Sequence, residues 1–241
     1  MFSKDSPSTA SAIIATGLVL SSIIGGASFV RSKTLQDRIS VTGSAYRDVV
    51  SDTVKWRLQI TASTGMGDLA AGNAKVAADL KALKKFLKDK SIADDAVTVA
   101  PMNVETRLDY NAGGAPVGYN LRQEVSVEGA EIDKITAASE EAGALLAQGA
   151  VVSTVQLEYF IGNLPALRVE LMGEAMKDAK KRADAIVESV GSSVGTLREA
   201  SMGVLQVTAQ NSMDVSDYGA YDTSAMKKRV TAVVRASFAV Q

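Results

Sequence analysis

The sequence contains no cysteine and no histidine among its 241 residues. Without cysteine, the chain has no disulfide framework, no thiolate nucleophile and no zinc–thiolate site. Without histidine, it lacks the commonest general base, the commonest metal ligand and every Ser–His or Cys–His catalytic pair. These absences predict a protein that is not an enzyme and that uses no cofactor and no metal. An enzyme that works with carboxylates or with a Ser/Lys pair is the catalytic alternative.

The chain also lacks an excess of charge of either sign. Lys and Arg together number 26, and Asp and Glu together number 27, so the formal net charge is −1. Proteins that bind nucleic acid usually carry a basic patch and a clear positive excess. The balance therefore predicts no nucleic-acid partner.

One segment, residues 10–30, carries no charge over 21 residues. A transmembrane helix needs about 20 apolar residues, whereas the apolar part of a cleaved signal peptide has about 7–15. We therefore expect a retained membrane anchor. The predicted organisation is a tail at 1–9, the anchor or uncleaved signal at 10–30, a linker at 31–37 and a domain at 38–241.

Small residues recur in this segment at intervals of four. Gly17, Ser21 and Gly25 form one series, and Ser22 and Gly26 form a second. On a helix they line one face, where the backbones of two helices can approach closely. The pattern predicts a helix-association face, although Gly and Ala are also common in membrane helices in general.

Beyond the anchor, the sequence predicts an α+β fold. Alternation of polar and apolar residues indicates strands at 38–46, 53–62, 97–110, 117–128, 151–160, 194–208 and 227–240. Helical spacing indicates helices at 68–88, 131–148 and 163–190. The residues expected to face inward are Ile132, Ile135, Ala142, Leu145 and Leu146 in the second helix and Met172, Ala175, Met176, Ala179, Ala183, Ile186 and Val190 in the third. Most strands have one polar face, so we expect largely antiparallel sheets with helices packed on one face.

Three short patterns resemble chemical motifs. The glycine-rich stretch 67–73 follows a strand and opens a helix, but it lacks the Lys and Ser/Thr of a phosphate loop. Ser224 and Lys227 have Ser-x-x-Lys spacing, but they lead into an alternating strand. The third pattern is an acidic, aromatic loop, which we interpret as an exposed contact loop and not as a calcium site: Asp214, Asp217, Tyr218, Tyr221 and Asp222.

Several pieces of the sequence together resemble the SIMPL-domain family. They are ISVTGSA at 39–45, Asp52, the Val-Gly-Tyr at 117–119, EAMKDAKKRADAIVESVG at 174–191 and Gly195. The resemblance covers Arg38 to the C-terminus. It departs from the family pattern at Ala45, where the V-x-G-x-G motif has its second Gly, and at Ser51, where Pro is usual.

The resemblance implies an exported bacterial protein of the periplasm or cell envelope. Some members are linked to oxidative-stress defence and some assemble into large homo-oligomers, and no agreed catalytic residues can be carried over. We therefore expect a single-pass protein of the bacterial inner membrane with its C-terminal domain in the periplasm. Its expected partners are the lipid bilayer and other copies of itself. The alternative is a secreted, soluble periplasmic binding protein whose signal peptide is cleaved.

Overall fold

The computed structural model describes residues 14–26, 37–212 and 218–241, and these form an α+β fold. Helix α1 covers residues 14–26. The other elements are β1 (Arg38–Val50), β2 (Thr53–Thr64), α2 (Leu69–Asp89), β3 (Val97–Val99), β4 (Asn103–Asp109), β5 (Ala115–Gly129), α3 (Ile132–Glu141), α4 (Gly143–Ala147), β6 (Val152–Phe160), α5 (Leu164–Glu188), β7 (Val194–Met202), β8 (Gln206–Ala209) and β9 (Lys227–Val240). The predicted α+β class is confirmed.

The chain divides into two compact units. The first contains the described residues of Met1–Ala45, together with Arg168–Val204 and Thr231–Gln241. The second contains Tyr46–Leu167 and the described residues of Leu205–Val230.

The second unit is built on a five-stranded sheet with the order β3-β5-β2-β6, in which β4 also pairs with β5. All four of these pairings are antiparallel, as predicted. Strand β2 alternates as its sequence indicates, because its apolar side chains enter the core while their neighbours stay partly exposed. The buried side chains of β2 are Val54, Trp56, Leu58 and Ile60.

The first unit has a smaller core beneath β1, β9 and β7, which follow one another in the second sheet. Its buried apolar residues are Val41, Ala179, Ala183, Ala236 and Phe238. Gly43 fits closely against α5, because a Cβ built at this position would lie 2.2 Å from the carbonyl oxygen of Ala175. Small residues on both elements therefore set the spacing between β1 and α5.

The buried face of α5 confirms part of the prediction and corrects the rest. Ile186 and Val190 were expected to face inward, but they are 52% and 75% exposed. Ala175, Ala179 and Ala183 are buried as predicted, and the buried residues recur every four positions: Leu171, Ala175, Ala179, Ala183 and Val187. The physical reason is the close approach of Gly43, which selects a face of small side chains over one of large side chains.

Two predicted elements are each divided in the structure. The helix expected at 131–148 forms α3 and α4, because the N–H of Ala142 bonds to the carbonyl of Ser139 in a tighter turn. Leu146, expected to be buried, is 57% exposed. The strand expected at 97–110 is interrupted at Pro101, which cannot donate a backbone hydrogen bond.

The predicted anchor is only partly described. Residues 14–26 of the 10–30 segment form α1, and every one of them is exposed. Within the described ranges, no helix combines the length and the apolar character required to cross a bilayer. The remaining residues of the predicted anchor, the predicted tail at 1–9 and residues 31–36 of the linker lie outside the described residues.

Candidate functional site

A hairpin of the second unit extends past the end of the strand beside it. Strand β2 ends at Thr64, which lies opposite Tyr119. Within the described residues, the part of β5 before that point, Ala115–Gly118, therefore pairs with β4 alone. We call β4, the turn after it and this first part of β5 the arm, residues 103–118.

Neither face of β4 is covered by the described part of the chain. Its first six residues are all exposed, and only Asp109 is half-buried. The exposed residues include Val104 at 46% and Leu108 at 39%, and Tyr110 directly after the strand is 84% exposed. A strand of an antiparallel sheet usually packs one of its faces on a core. The arm therefore presents apolar side chains that no described residue of the same chain covers.

The base of the arm is fixed by a bulge and a glycine. Arg107 lies opposite Gly118, whereas Leu108 lies opposite Pro116, so Val117 is an extra residue in β5. A Cβ at Gly118 would lie 2.0 Å from the carbonyl oxygen of Thr64. Only glycine permits this close approach, while β4 itself stays regular along its seven residues.

Strand β4 also has an open outer edge and a mixed set of charges. Among the described strands, β4 pairs only with β5. Glu105 lies 3.4 Å from the guanidinium of Arg122 on β5. Arg107 forms no ion pair with any described residue. An open edge of this kind is a template on which another strand can pair.

The predicted association face lies on α1. Gly17, Ser21 and Gly25 are one turn apart, and no described atom comes within 4 Å of a Cβ built at either glycine. The hydroxyls of Ser21 and Ser22 donate to the carbonyl of Leu18, at 2.9 and 2.6 Å. Together with Gly26, these residues leave one face of α1 with small side chains and with hydroxyls that already have an acceptor. Whether a second helix packs on that face stays a prediction.

The predicted contact loop is partly described and has two different parts. Asp214 and Asp217 lie outside the described residues. Tyr218 is 96% exposed. The ring of Tyr221 stacks on Phe160 with centroids 6.3 Å apart, and its hydroxyl accepts a hydrogen bond from the backbone of Ile161 at 3.3 Å. Tyr221 therefore attaches the loop to β6, and Tyr218 is the exposed member of the pair.

Asp222 organises the turn that leads into β9. One carboxylate oxygen accepts from the backbone N–H of Ser224 at 2.6 Å, from its hydroxyl at 2.8 Å and from the N–H of Ala225 at 3.3 Å. Burial alone would raise the pKa of Asp222, but these hydrogen bonds and the charge of Lys228 lower it below its ordinary value. Asp222 thus holds the turn, and contact with a partner is not needed to explain it.

The Ser-x-x-Lys pattern does not form a catalytic pair. The hydroxyl of Ser224 donates to Asp222, and Lys227 is exposed at the start of β9. The buried lysine is its neighbour, Lys228, whose ammonium donates to the carbonyl of Asp222. Burial lowers the pKa of Lys228, and the negative charge of Asp222 partly offsets this effect. Sequence reasoning missed Lys228, although it alternates in register with the buried Val230.

The glycine-rich stretch 67–73 has a packing role. A Cβ at Gly72 would lie 2.3 Å from the methyl group of Thr64, so the glycine lets α2 approach β2. The ammonium of Lys75 contacts both carboxylate oxygens of the buried Asp79, at 2.5 and 2.6 Å, and the carbonyl of Gly149 at 2.9 Å. Lys75 is therefore committed to an internal ion pair and not to a phosphate.

A cleft of 610 Å³ lies beside the N-terminus of α3. Its lining includes Asp52, Glu131 and Asp133, together with Ser51, whose buried hydroxyl has no hydrogen-bond partner among the described residues. Asp52 already accepts from the backbone of Gly162 at 2.7 Å. No cluster of three or more acidic, histidine or cysteine side chains in the described part of the chain is arranged to hold a metal ion.

These features define an α+β protein of antiparallel sheets with an uncovered arm. A model of the SIMPL family, described as a protein of unknown function (DUF541), matches residues 39–238. The chain belongs to this family. No curated protein matches the chain.

Solved structures resemble the chain only distantly. An amidase of the hydantoinase/carbamoylase family from Burkholderia phymatum is 15% identical with a TM-score of 0.25, and the match covers 51% of this chain and 31% of that one. AtUAH in complex with glyoxylate is 12% identical with a TM-score of 0.24, over 54% and 30% of the two chains. A hydrolase from Listeria innocua is 11% identical with a TM-score of 0.19, over 81% and 91%. The chain thus spans about a third of the first two proteins.

Proposed function

We propose that this SIMPL protein is anchored in the bacterial inner membrane and acts in the periplasm as a homo-oligomeric structural or binding assembly, not as an enzyme. A role in stress defence is part of this proposal and would follow from what the assembly binds. The observation that carries the proposal is the composition and exposure of α1.

Helix α1 exposes large apolar side chains along its whole described length, beside its small-residue face. Six of them are between 54% and 65% exposed: Ile14, Leu18, Val19, Leu20, Ile23 and Ile24. A contiguous apolar surface of this kind indicates a membrane or a protein partner. The hydroxyls of Ser21 and Ser22 are satisfied inside the helix, as an apolar environment requires. Support for self-association comes from the small-residue face of α1 and from the uncovered arm.

The test uses the full chain expressed in bacterial cells. We expect the mature protein to retain its N-terminus by intact mass, to fractionate with the inner membrane and to form a discrete oligomer in nanodiscs. A charge at the centre of a membrane helix costs about 2.5–3.5 kcal/mol in insertion scales, so Leu20→Arg should shift the protein toward the soluble fraction. Val155→Arg is the matched control, because Val155 is 55% exposed on β6.

A shortened N-terminus on a soluble mature chain would contradict the anchor and support the secreted alternative. A monomeric mass in nanodiscs, with the anchor retained, would contradict the assembly.

A further inference from the structure

The side chains of β4 are arranged so that two copies of the strand, running in opposite directions, would place complementary residues opposite each other. Around the central Thr106, the two flanking residues are Glu105 and Arg107, which carry opposite charges. The next two outward are the apolar Val104 and Leu108. The strand ends in a polar residue on each side, Asn103 and Asp109.

We propose that β4 pairs antiparallel with β4 of a second copy, with the two-fold axis at Thr106. The proposal rests on the homo-oligomer proposed above and names its contact. This register places Glu105 opposite Arg107 of the second copy, and Arg107 opposite its Glu105. Val104 likewise meets Leu108 of the second copy, and each of these contacts occurs twice because the interface is isologous.

The alternation of a strand separates these contacts onto two faces. Val104, Thr106 and Leu108 share one face, where both copies contribute exposed side chains. Glu105 and Arg107 share the other face, where Glu105 already contacts Arg122 of its own chain at 3.4 Å. Arg107 has no carboxylate partner among the described residues, and the second copy supplies one.

Neighbouring registers of the same strand are disfavoured by charge. An axis at Glu105 would place Glu105 opposite itself, and an axis at Arg107 would place Arg107 opposite itself. Like charges directly opposite each other destabilise a strand pair. A shift of the axis by half a residue pairs the apolar face of one copy with the charged face of the other. Charge complementarity therefore selects a second copy in one register as the occupant of this edge.

The first experiment is disulfide trapping, and the cysteine-free chain suits it because any introduced thiol is unique. In the proposed register, the two Thr106 Cα atoms lie about 4.5–5.5 Å apart, within the range that a disulfide spans. We expect oxidised full-length Thr106→Cys to form a covalent dimer. Val155→Cys, on the exposed side of β6, should stay uncrosslinked under the same conditions.

The second experiment exchanges charges in the full chain. Glu105→Arg and Arg107→Glu alone each create two like-charge contacts, so we expect the dimer dissociation constant to rise about tenfold or more. The double variant with both changes restores the contacts between copies and should return the dimer toward wild-type affinity. Glu105→Arg with Arg122→Glu repairs only the contact inside the chain, so it should stay weak.

The outcomes separate this inference from the proposed function. A wild-type assembly in nanodiscs that neither crosslinks at Thr106 nor responds to the charge exchange would overturn the β4 register and leave assembly through another surface, such as α1. A wild-type monomer with its anchor retained would overturn the assembly and the β4 pairing together. Circular dichroism of every variant identifies those that fail to fold. A double variant that regains the dimer must be folded, so its rescue shows that the single variants lost affinity through their charges.

Discussion

Strand β5 passes through two environments within fifteen residues. Along its second part, Leu121, Val125 and Val127 are at most 1% exposed, since they belong to the core of the second unit. Along its first part, Val117 is 40% exposed, and among the described strands this part pairs with β4 alone. The side chains of the buried part are dictated by the packing of this chain. Those of the arm are not, which is why the proposal above assigns their order to a second copy.

Replacing a leucine by alanine in each of the two environments should give the largest difference in the free energy of unfolding. Leu121→Ala empties a fully buried site and should lower the free energy of unfolding by about 2–5 kcal/mol. Leu108→Ala, on the facing strand but 39% exposed, should change it by less than about 0.5 kcal/mol. Both are measured by urea unfolding in a Glu105→Arg background, which weakens pairing with a second copy equally for both variants. Equal losses would show that the arm is packed in the monomer.

A smaller effect is expected where the two parts of β5 meet. Gly118→Ala places a methyl group 2.0 Å from the carbonyl oxygen of Thr64, so the backbone must move. We expect a loss of about 1–3 kcal/mol, as for other overpacked sites. Gly67→Ala is the matched control, because no atom lies within 4 Å of its Cβ position and its φ is not positive. If Gly118→Ala left the free energy of unfolding unchanged, the backbone at the base of the arm could move away from Thr64 at little cost.

The smallest effect concerns a loop that, unlike the arm, is held by its own chain. Because the pKa of Asp222 is lowered on folding, its carboxylate stabilises the fold above its unfolded pKa of about 4. That contribution is lost as the pH falls through the lower, folded-state pKa. The stability difference between wild type and Asp222→Ala should therefore be constant near neutral pH and shrink below about pH 4.

Asp222→Asn keeps an acceptor for the backbone of Ser224 but cannot titrate. Its loss near neutral pH should be the smaller of the two, while the dependence on acid should disappear in both variants. Acid unfolding curves for the three proteins check this, and an unchanged acid limb in Asp222→Ala would contradict it.

Strands with one buried face were predictable from sequence. Along most of β2 and along β9 up to Val234, every second side chain is buried, so alternation alone places Trp56 and Val230 inside. At the end of β9, Ser237 and Ala239 are buried as well, which alternation does not predict. The same alternation indicated a strand across β4, but it does not show whether a core lies behind it. That depends on where β2 ends, at Thr64, which is a property of the paired strand.

Helix faces and buried charges were less predictable. In α5, the contact with Gly43 favours Ala175 and Ala179, whereas apolar size alone favours Ile186. Asp79 is buried because Lys75 and the N–H of Val151 satisfy its carboxylate, and Val151 is remote in sequence. The order of residues in β4 is visible in the sequence, yet its symmetry has meaning only once the limits of the strand and its open edge are known.

The position of β2 between two later strands also has a consequence for synthesis of the chain. Strand β2 is flanked by β5 on one edge and by β6 on the other, and both follow it by many residues. A ribosome adds about 5–20 residues per second. The apolar face of β2, including Trp56, Leu58 and Ile60, therefore waits several seconds for its flanking strands. During that interval α2, which follows β2 directly, is the nearest element able to shield the nascent chain from aggregation.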